Sequence, residues 1–167
     1  QEQYLAGRRE WNKRSKEGFD NAIKHFEKAI ELDPDYADAY AGLADTYGLM
    51  PAYNFASPDD AMPKAKSYAE KAIEKNPNLA SAYTSLAWVL HNYEYDWKGA
   101  EENYSKAIEL NPNYATVNHW FGIFLSNNGR HNKAIETLKK AAELDPQSMI
   151  IQYTVGQILL VAEQSEE

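Results

Sequence analysis

The chain has 167 residues, enough for one domain or for a row of small repeated units. Lys and Arg number 17 against 25 Asp and Glu, giving a formal net charge of −8, and the 44% apolar and 25% charged residues are ordinary proportions for a folded chain. The absence of Cys excludes a disulfide framework, a thiolate metal site and a thiol nucleophile. A mean hydropathy of −0.67 and no apolar run of about 18 residues exclude a membrane-spanning helix, and the acidic balance argues against a duplex nucleic acid partner.

The first residue is Gln1, as expected of a processed or excised chain, and residues 1–17 contain no apolar signal region. A cytoplasmic location is the expectation, with a periplasmic or extracytoplasmic one left open by that start. Residues 1–17 hold five basic and three acidic side chains. They read either as a solvated first helix, Tyr4 to Ser15, or as a basic end that docks on an acidic neighbour. Arg8 and Arg9 stand where that helix should be apolar, so it is expected either as a solvent-facing cap or with its register shifted.

Beyond it, prolines mark a period. Pro34, Pro77, Pro112 and Pro146 close the phrases EKAIELDP, EKAIEKNP, SKAIELNP and KKAAELDP, at spacings of 43, 35 and 34 residues. Ahead of the prolines run helical stripes: Ala22, Phe26, Ala29 and Ile30, then Ala100, Tyr104, Ala107 and Ile108, then Ala134, Leu138 and Ala141. Proline ends each helix because it lacks an N–H and disfavours helical geometry at the residue before it. After each proline a second stripe begins: Tyr40, Leu43, Ala44, Tyr47; Tyr83, Leu86, Ala87, Leu90; Phe121, Gly122, Leu125; Val155, Gly156, Leu159. A recurring small residue lets two helices approach closely, and a single pair cannot bury its stripe, so neighbouring pairs must stack.

The closing sets Ala100, Tyr104, Ala107, Pro112 and Ala134, Leu138, Ala141, Pro146 resemble those of the tetratricopeptide repeat family, whose unit has 34 residues. The local wording is also similar to such segments in larger bacterial regulatory proteins. The resemblance implies an all-α fold, a right-handed α-solenoid of antiparallel helix pairs with about nine helices. It implies one domain over 1–167: repeats at about 1–36, 37–79, 80–114 and 115–148, and a terminal half-repeat at about 149–163 that covers the end of the stack. Two departures stand out. Asn118 occupies the aromatic place of its unit, and the second unit carries an insertion at 48–63, GLMPAYNFASPDDAMP. There Ser57 is an expected N-cap with Pro58 at the first helical position, and Pro63 either kinks that helix or marks its start. Tyr53 and Phe55 either tuck under the loop or form a contact edge at the rim.

No catalytic constellation emerges. The four histidines, His25, His91, His119 and His131, include no i, i+4 pair, and no phosphate loop or nucleophile elbow appears. The acidic residues interleave with Lys as on a solvated face. Asn103-Tyr104-Ser105 is formally a glycosylation acceptor, but it lies within a helix on the core stripe. No enzyme activity, cofactor or metal is expected.

The family resemblance implies that the first helix of each unit, helix A, lines a concave groove where partner peptides lie. It nominates Asp38, Asp45, Thr84, Trp88, His91, Asn92, His119, Ile123, Ser126, Asn127 and Tyr153. Trp88 is expected either as a flat anchor for a partner or as packing between adjacent helices. Asn92 and Asn127 stand at equivalent places and either hold a peptide backbone or bond their own turns. His91 and His119 are expected to be exposed and neutral, or to add pH sensitivity. These positions lack the Lys and Arg of a carboxylate clamp, and Asp38 and Asp45 make one end acidic. A protein or peptide partner of basic or neutral character is therefore expected, in preference to an acidic C-terminus. Self-association through the terminal helix, whose outer face carries Ile150, Leu160 and Val161, is the alternative.

Overall fold

The computed structural model describes residues 1–165. These form nine α-helices and no strand: α1 (Glu2–Asn12), α2 (Lys16–Leu32), α3 (Ala37–Leu49), α4 (Pro58–Lys75), α5 (Ala80–Val89), α6 (Trp97–Leu110), α7 (Ala115–Asn127), α8 (His131–Leu144) and α9 (Met149–Ser165). The fold is an all-α helical repeat. Contacts divide the chain into two compact units, Gln1–Asn103 and a second that begins at Tyr104. In the first, α1 packs on α2, α2 on α3, α3 on α4, and α5 on both α3 and α4; in the second, α7 packs on α8 and α8 on α9.

The repeat period is built from local bonds. Before each of three prolines an acid or amide side chain turns back on the backbone: Asp33, Asn76 and Asn111 accept from the N–H two residues on, at 3.1, 3.0 and 3.2 Å. The next helix then fastens to the turn. The Tyr40 hydroxyl donates to the Pro34 carbonyl at 3.1 Å and the Tyr83 hydroxyl to that of Pro77 at 3.0 Å. In the following unit the Asn118 amide donates to the Pro112 carbonyl at 3.3 Å. The shorter side chain thus makes the same link, which explains a departure from the aromatic pattern.

The small positions are explained by close approach. A Cβ on Gly7 would lie 2.6 Å from the Phe26 ring, and one on Gly42 would lie 2.7 Å from it. Phe26 of α2 is therefore wedged between α1 and α3, and it is fully buried. In the second unit a Cβ on Gly122 would come within 2.5 Å of Leu138. Tyr104 packs between Phe121 and Phe124 at ring distances of 5.5 and 5.7 Å. It is buried, as its place on the core stripe requires.

The first helix takes the shifted register, one of the two alternatives for it. It ends at Asn12, and Ser15 instead caps α2, its hydroxyl accepting from the Gly18 N–H at 3.0 Å. The buried residues of α1 are Gly7 and Trp11. Arg8 is not a solvent-facing residue, since only 23% of its side chain is exposed. Trp11 lies between two guanidinium groups, Arg8 at 4.2 Å and Arg14 at 3.5 Å from the ring.

The insertion is ordered. A short 3-10 turn, Pro51–Tyr53, is followed by Asn54 in the left-handed region and by α4, which starts at Pro58 with the Ser57 hydroxyl accepting from the Asp60 N–H at 3.2 Å. Pro63 lies inside α4 and does not mark its start. Tyr53 and Phe55 stack on each other at 5.8 Å and meet the fully buried Phe19 edge-on at 5.7 and 5.8 Å. They close the loop onto α2. Both rings stay half-exposed, so they pack on Phe19 and also border the rim. The single extra residue of the third unit also has a structural form. After α5 the backbone widens to a π-helical turn, Leu90–Glu94, and Tyr95 follows in the left-handed region at φ 56°.

Candidate interaction surface

In the first unit the three A helices, α1, α3 and α5, are tied together by one acid. Asp45 sits in the middle of α3 and is 1% exposed. One carboxylate oxygen accepts from Arg8 Nη1 of α1 at 2.8 Å, and the other accepts from the Ser85 hydroxyl of α5 at 2.6 Å. Burial is the largest influence on this carboxyl and pushes its pKa up; the Arg8 guanidinium and the Ser85 hydroxyl act against that without reversing it. Sequence reasoning missed Arg8 and Ser85 as functional neighbours of Asp45. The signal was present in two misfits: a basic residue on the core side of α1 and an acid mid-helix on the inner side of α3. The basic end does dock on an acidic neighbour, and that neighbour lies within the chain.

Several nominated residues lie inside, and their expected exposure is corrected. Asp45 does not present an acidic end, because it is buried and paired. Thr84 is fully buried, its hydroxyl donating to the Ala80 carbonyl at 2.9 Å. Trp88 is 8% exposed and its indole N–H donates to the Gly48 carbonyl at 2.8 Å, so it packs α5 against α3 and is not an open anchor. A Cβ at Gly48 would lie 3.3 Å from the indole, a tight approach. His91 is 2% exposed, and burial pulls its pKa down to about 4, so it is neutral at pH 7 for want of solvent, not through exposure. The Asn92 amide donates to the Trp88 carbonyl at 3.0 Å, bonding its own turn. Asp38 remains half-exposed on α3.

In the second unit His119 is also buried, which corrects its expected exposure. Its Nε2 lies 3.0 Å from the Thr154 hydroxyl, which itself donates to the Ile150 carbonyl at 2.8 Å. A hydroxyl has one proton, so His119 Nε2 is the donor in this pair, and the contact clips α7 to α9. Ile123 and Ser126 are half-exposed, and Asn127 is exposed at the end of α7. Ser126 lies 3.4 Å from His131 Nδ1. Tyr153 of α9 is 62% exposed, and its hydroxyl accepts from Gln157 at 2.7 Å. His25, outside the nominated set, is half-buried, with Nδ1 2.8 Å from the Gln3 side chain.

Two surfaces therefore remain, one in each unit: Asp38 beside the Arg8–Asp45–Ser85 row, and Ile123, Ser126, Asn127 and Tyr153 on α7 and α9. Among the described residues no group of three or more His, Asp or Glu is placed to hold a metal ion. No helix among them is long and apolar enough to cross a membrane.

Residues 13–50 match the model of the TPR repeat, and residues 103–136 match a model of the tetratricopeptide repeat. Over 143 residues the chain is 26% identical to the transcriptional regulator HilA of Salmonella typhimurium, covering 86% of this chain and 26% of HilA. It thus spans about a quarter of the length of the curated relatives it matches. Among solved structures it is similar to YrrB, a TPR protein described as having an unusual peptide-binding site, with 27% identity, 87% of this chain and 70% of that one covered, and a TM-score of 0.53. MamA matches at 24% identity over 90% of this chain and 82% of its own, with a TM-score of 0.56. Human IFIT1, solved as a dimer with PPP-AAAA, matches in fold at 24% identity over 91% of this chain and 34% of its own, with a TM-score of 0.72. The chain thus contains tetratricopeptide repeats, within residues 13–50 and 103–136.

Proposed function

We propose that this chain, a protein–protein interaction scaffold, binds an extended peptide of basic or neutral character on the inner faces of its A helices, without a covalent step, as part of a larger regulatory protein. The carrying observation is the Arg8–Asp45–Ser85 row. It joins three A helices through one buried carboxylate, so the surface beside it is pre-ordered and little entropy is lost on binding. The Arg8 guanidinium is held by Asp45, so it does not serve as a clamp for a peptide carboxylate; the half-exposed Asp38 favours a basic group. The likeness to YrrB supports peptide binding, and the likeness to part of HilA supports the regulatory setting. The test is a peptide library screened against the chain. Asp38→Lys or Asn127→Ala is expected to weaken the selected peptides while leaving Tm unchanged, because neither residue is buried. Equal loss of Tm would make the residues structural, and selection of acidic C-terminal peptides would overturn the charge preference.

One observation favours self-association as a second reading. Ile150, Leu160 and Val161 on the outer side of α9 are 36%, 60% and 44% exposed, and residues 149–162 carry no charge. Contiguous apolar surface of this kind marks interaction sites. Light scattering of the full chain tests it: a mass that rises with concentration and falls to the monomer in Leu160→Glu supports it, and a constant monomer refutes it.

A further inference from the structure

The segment between α5 and α6 reads Tyr93-Glu94-Tyr95-Asp96-Trp97, with aromatic and acidic residues alternating. The π-helical turn before it gives the segment a path of its own: Tyr95 is held at φ 56°, a conformation that costs a bulky residue energy and persists only where its surroundings or its use require it. The result is an aromatic shelf. Tyr95 is 66% exposed and Trp97 42%, their rings 6.4 Å apart, and the Trp97 ring also contacts that of the buried His91 at 5.5 Å.

The charges beside the shelf are mostly negative. Asp96 is exposed, with one oxygen accepting from the Gly99 N–H at 2.9 Å, and Asp59 accepts from the Tyr93 hydroxyl at 3.0 Å. The nearby cations are engaged with acids: Lys66 lies 2.7 Å from Glu94, and Lys98 lies 3.9 Å from Glu102 along α6. Flat aromatic faces carry negative potential and attract a cation, and a carboxylate beside them adds to that attraction.

We propose that the Tyr95–Trp97 shelf is a second docking site, which takes an arginine-bearing segment of a partner protein, the guanidinium lying over the rings with Asp96 as its counter-ion. Charge complementarity selects this occupant: an acidic segment meets Asp96 within the shelf, and a purely apolar one gives that carboxylate no counter-charge. Arginine is favoured over lysine because its planar group stacks on aromatic faces. The site uses none of Asp38, Ile123, Ser126 or Asn127, so it stands whether or not those bind a peptide.

The test uses the full chain and two capped peptides, acetyl-Gly-Arg-Leu-Arg-Gly-amide and its Glu-for-Arg counterpart, titrated while the Trp97 indole and Tyr95 ring resonances are followed. The arginine peptide is expected to shift both saturably, and the glutamate peptide neither. Trp97→Ala is expected to weaken binding by about fivefold, the ratio equivalent to one cation–π contact, and Asp96→Asn to weaken it by up to about fivefold through loss of an exposed counter-ion. Tyr95→Gly keeps the fold, since glycine accepts the positive φ without strain, and is expected to weaken binding while leaving Tm equal or higher. Silence of Tyr95 and Trp97 at saturating arginine peptide, equal response to the glutamate peptide, or undiminished binding in Tyr95→Gly would each overturn the proposal. Shifts confined to Asp38 or Asn127 would also overturn it while supporting the inner-face site.

Discussion

Arg8→Met removes the guanidinium that donates to the buried Asp45. Methionine keeps most of the aliphatic stem, so packing on Trp11 is largely preserved. The carboxylate is left with the Ser85 hydroxyl at 2.6 Å. Breaking a buried ion pair from one side costs about 3–5 kcal/mol. Two features place this case at the lower end. The Arg8 side chain is 23% exposed, so water reaches the pair, and the Asp45 pKa is already raised, so protonation offers relief. The expected loss is about 3 kcal/mol, a fall in Tm of roughly 6–12 °C for a chain of this size. The double variant Arg8→Met/Asp45→Leu removes both charges. Ser85 is not orphaned by it, because its hydroxyl turns to the Ser81 carbonyl, already at 2.9 Å. That variant is expected to return to within about 1 kcal/mol of the parent. Urea unfolding followed by circular dichroism measures the parent, Arg8→Met, Asp45→Leu and the double variant. A loss below about 1 kcal/mol in Arg8→Met, or a double variant as unstable as the sum of its singles, would refute the claim that one carboxylate ties α1 to α3 and α5.

The pH dependence has a definite sign at His91. Its folded pKa of about 4 lies below the ordinary 6.5, so the unfolded chain binds more protons between those values. Stability is full above about pH 6.5 and falls as pH drops towards 4, by up to about 3 kcal/mol. Asp45, whose pKa is raised, contributes in the opposite direction. Comparing urea midpoints of the parent and His91→Gln from pH 7 to 5 isolates the histidine, and parallel curves would contradict it. A different test uses Tyr104, whose fully buried hydroxyl finds no hydrogen-bond partner among the described residues. Tyr104→Phe is expected to leave stability unchanged or raise it by about 1 kcal/mol; a loss of that size would show that the hydroxyl is satisfied.

The repeat was legible because its signals are local and redundant. Each proline ends a helix by its own chemistry, and the Ala22, Phe26, Ala29 stripe and its later copies face inward on all three helices that carry them. Asn118 looked like a departure only because its residue type, and not its bonding reach, was compared with Tyr40 and Tyr83. The surface was far less legible. Helical spacing places a residue on a face, but it does not say how deep that face lies. Trp88, His91 and Thr84 were nominated on the inner side of α5 and are covered, Trp88 and Thr84 with hydrogen bonds to backbone carbonyls. Arg8 and Asp45 are 37 residues apart, and nothing in the local pattern pairs them. The single extra residue before Pro112 was visible as a count, but its form as a π-helical turn needs the backbone.

The inner-face binding site is tested most directly by amide hydrogen exchange of the full chain, with and without a saturating peptide selected from a random library. Slowed exchange is expected on the A helices of a unit, α3 and α5 or α7 and α9, with α2, α4 and α8 unchanged. Protection centred on those B helices, or no protection by any selected peptide, would contradict it.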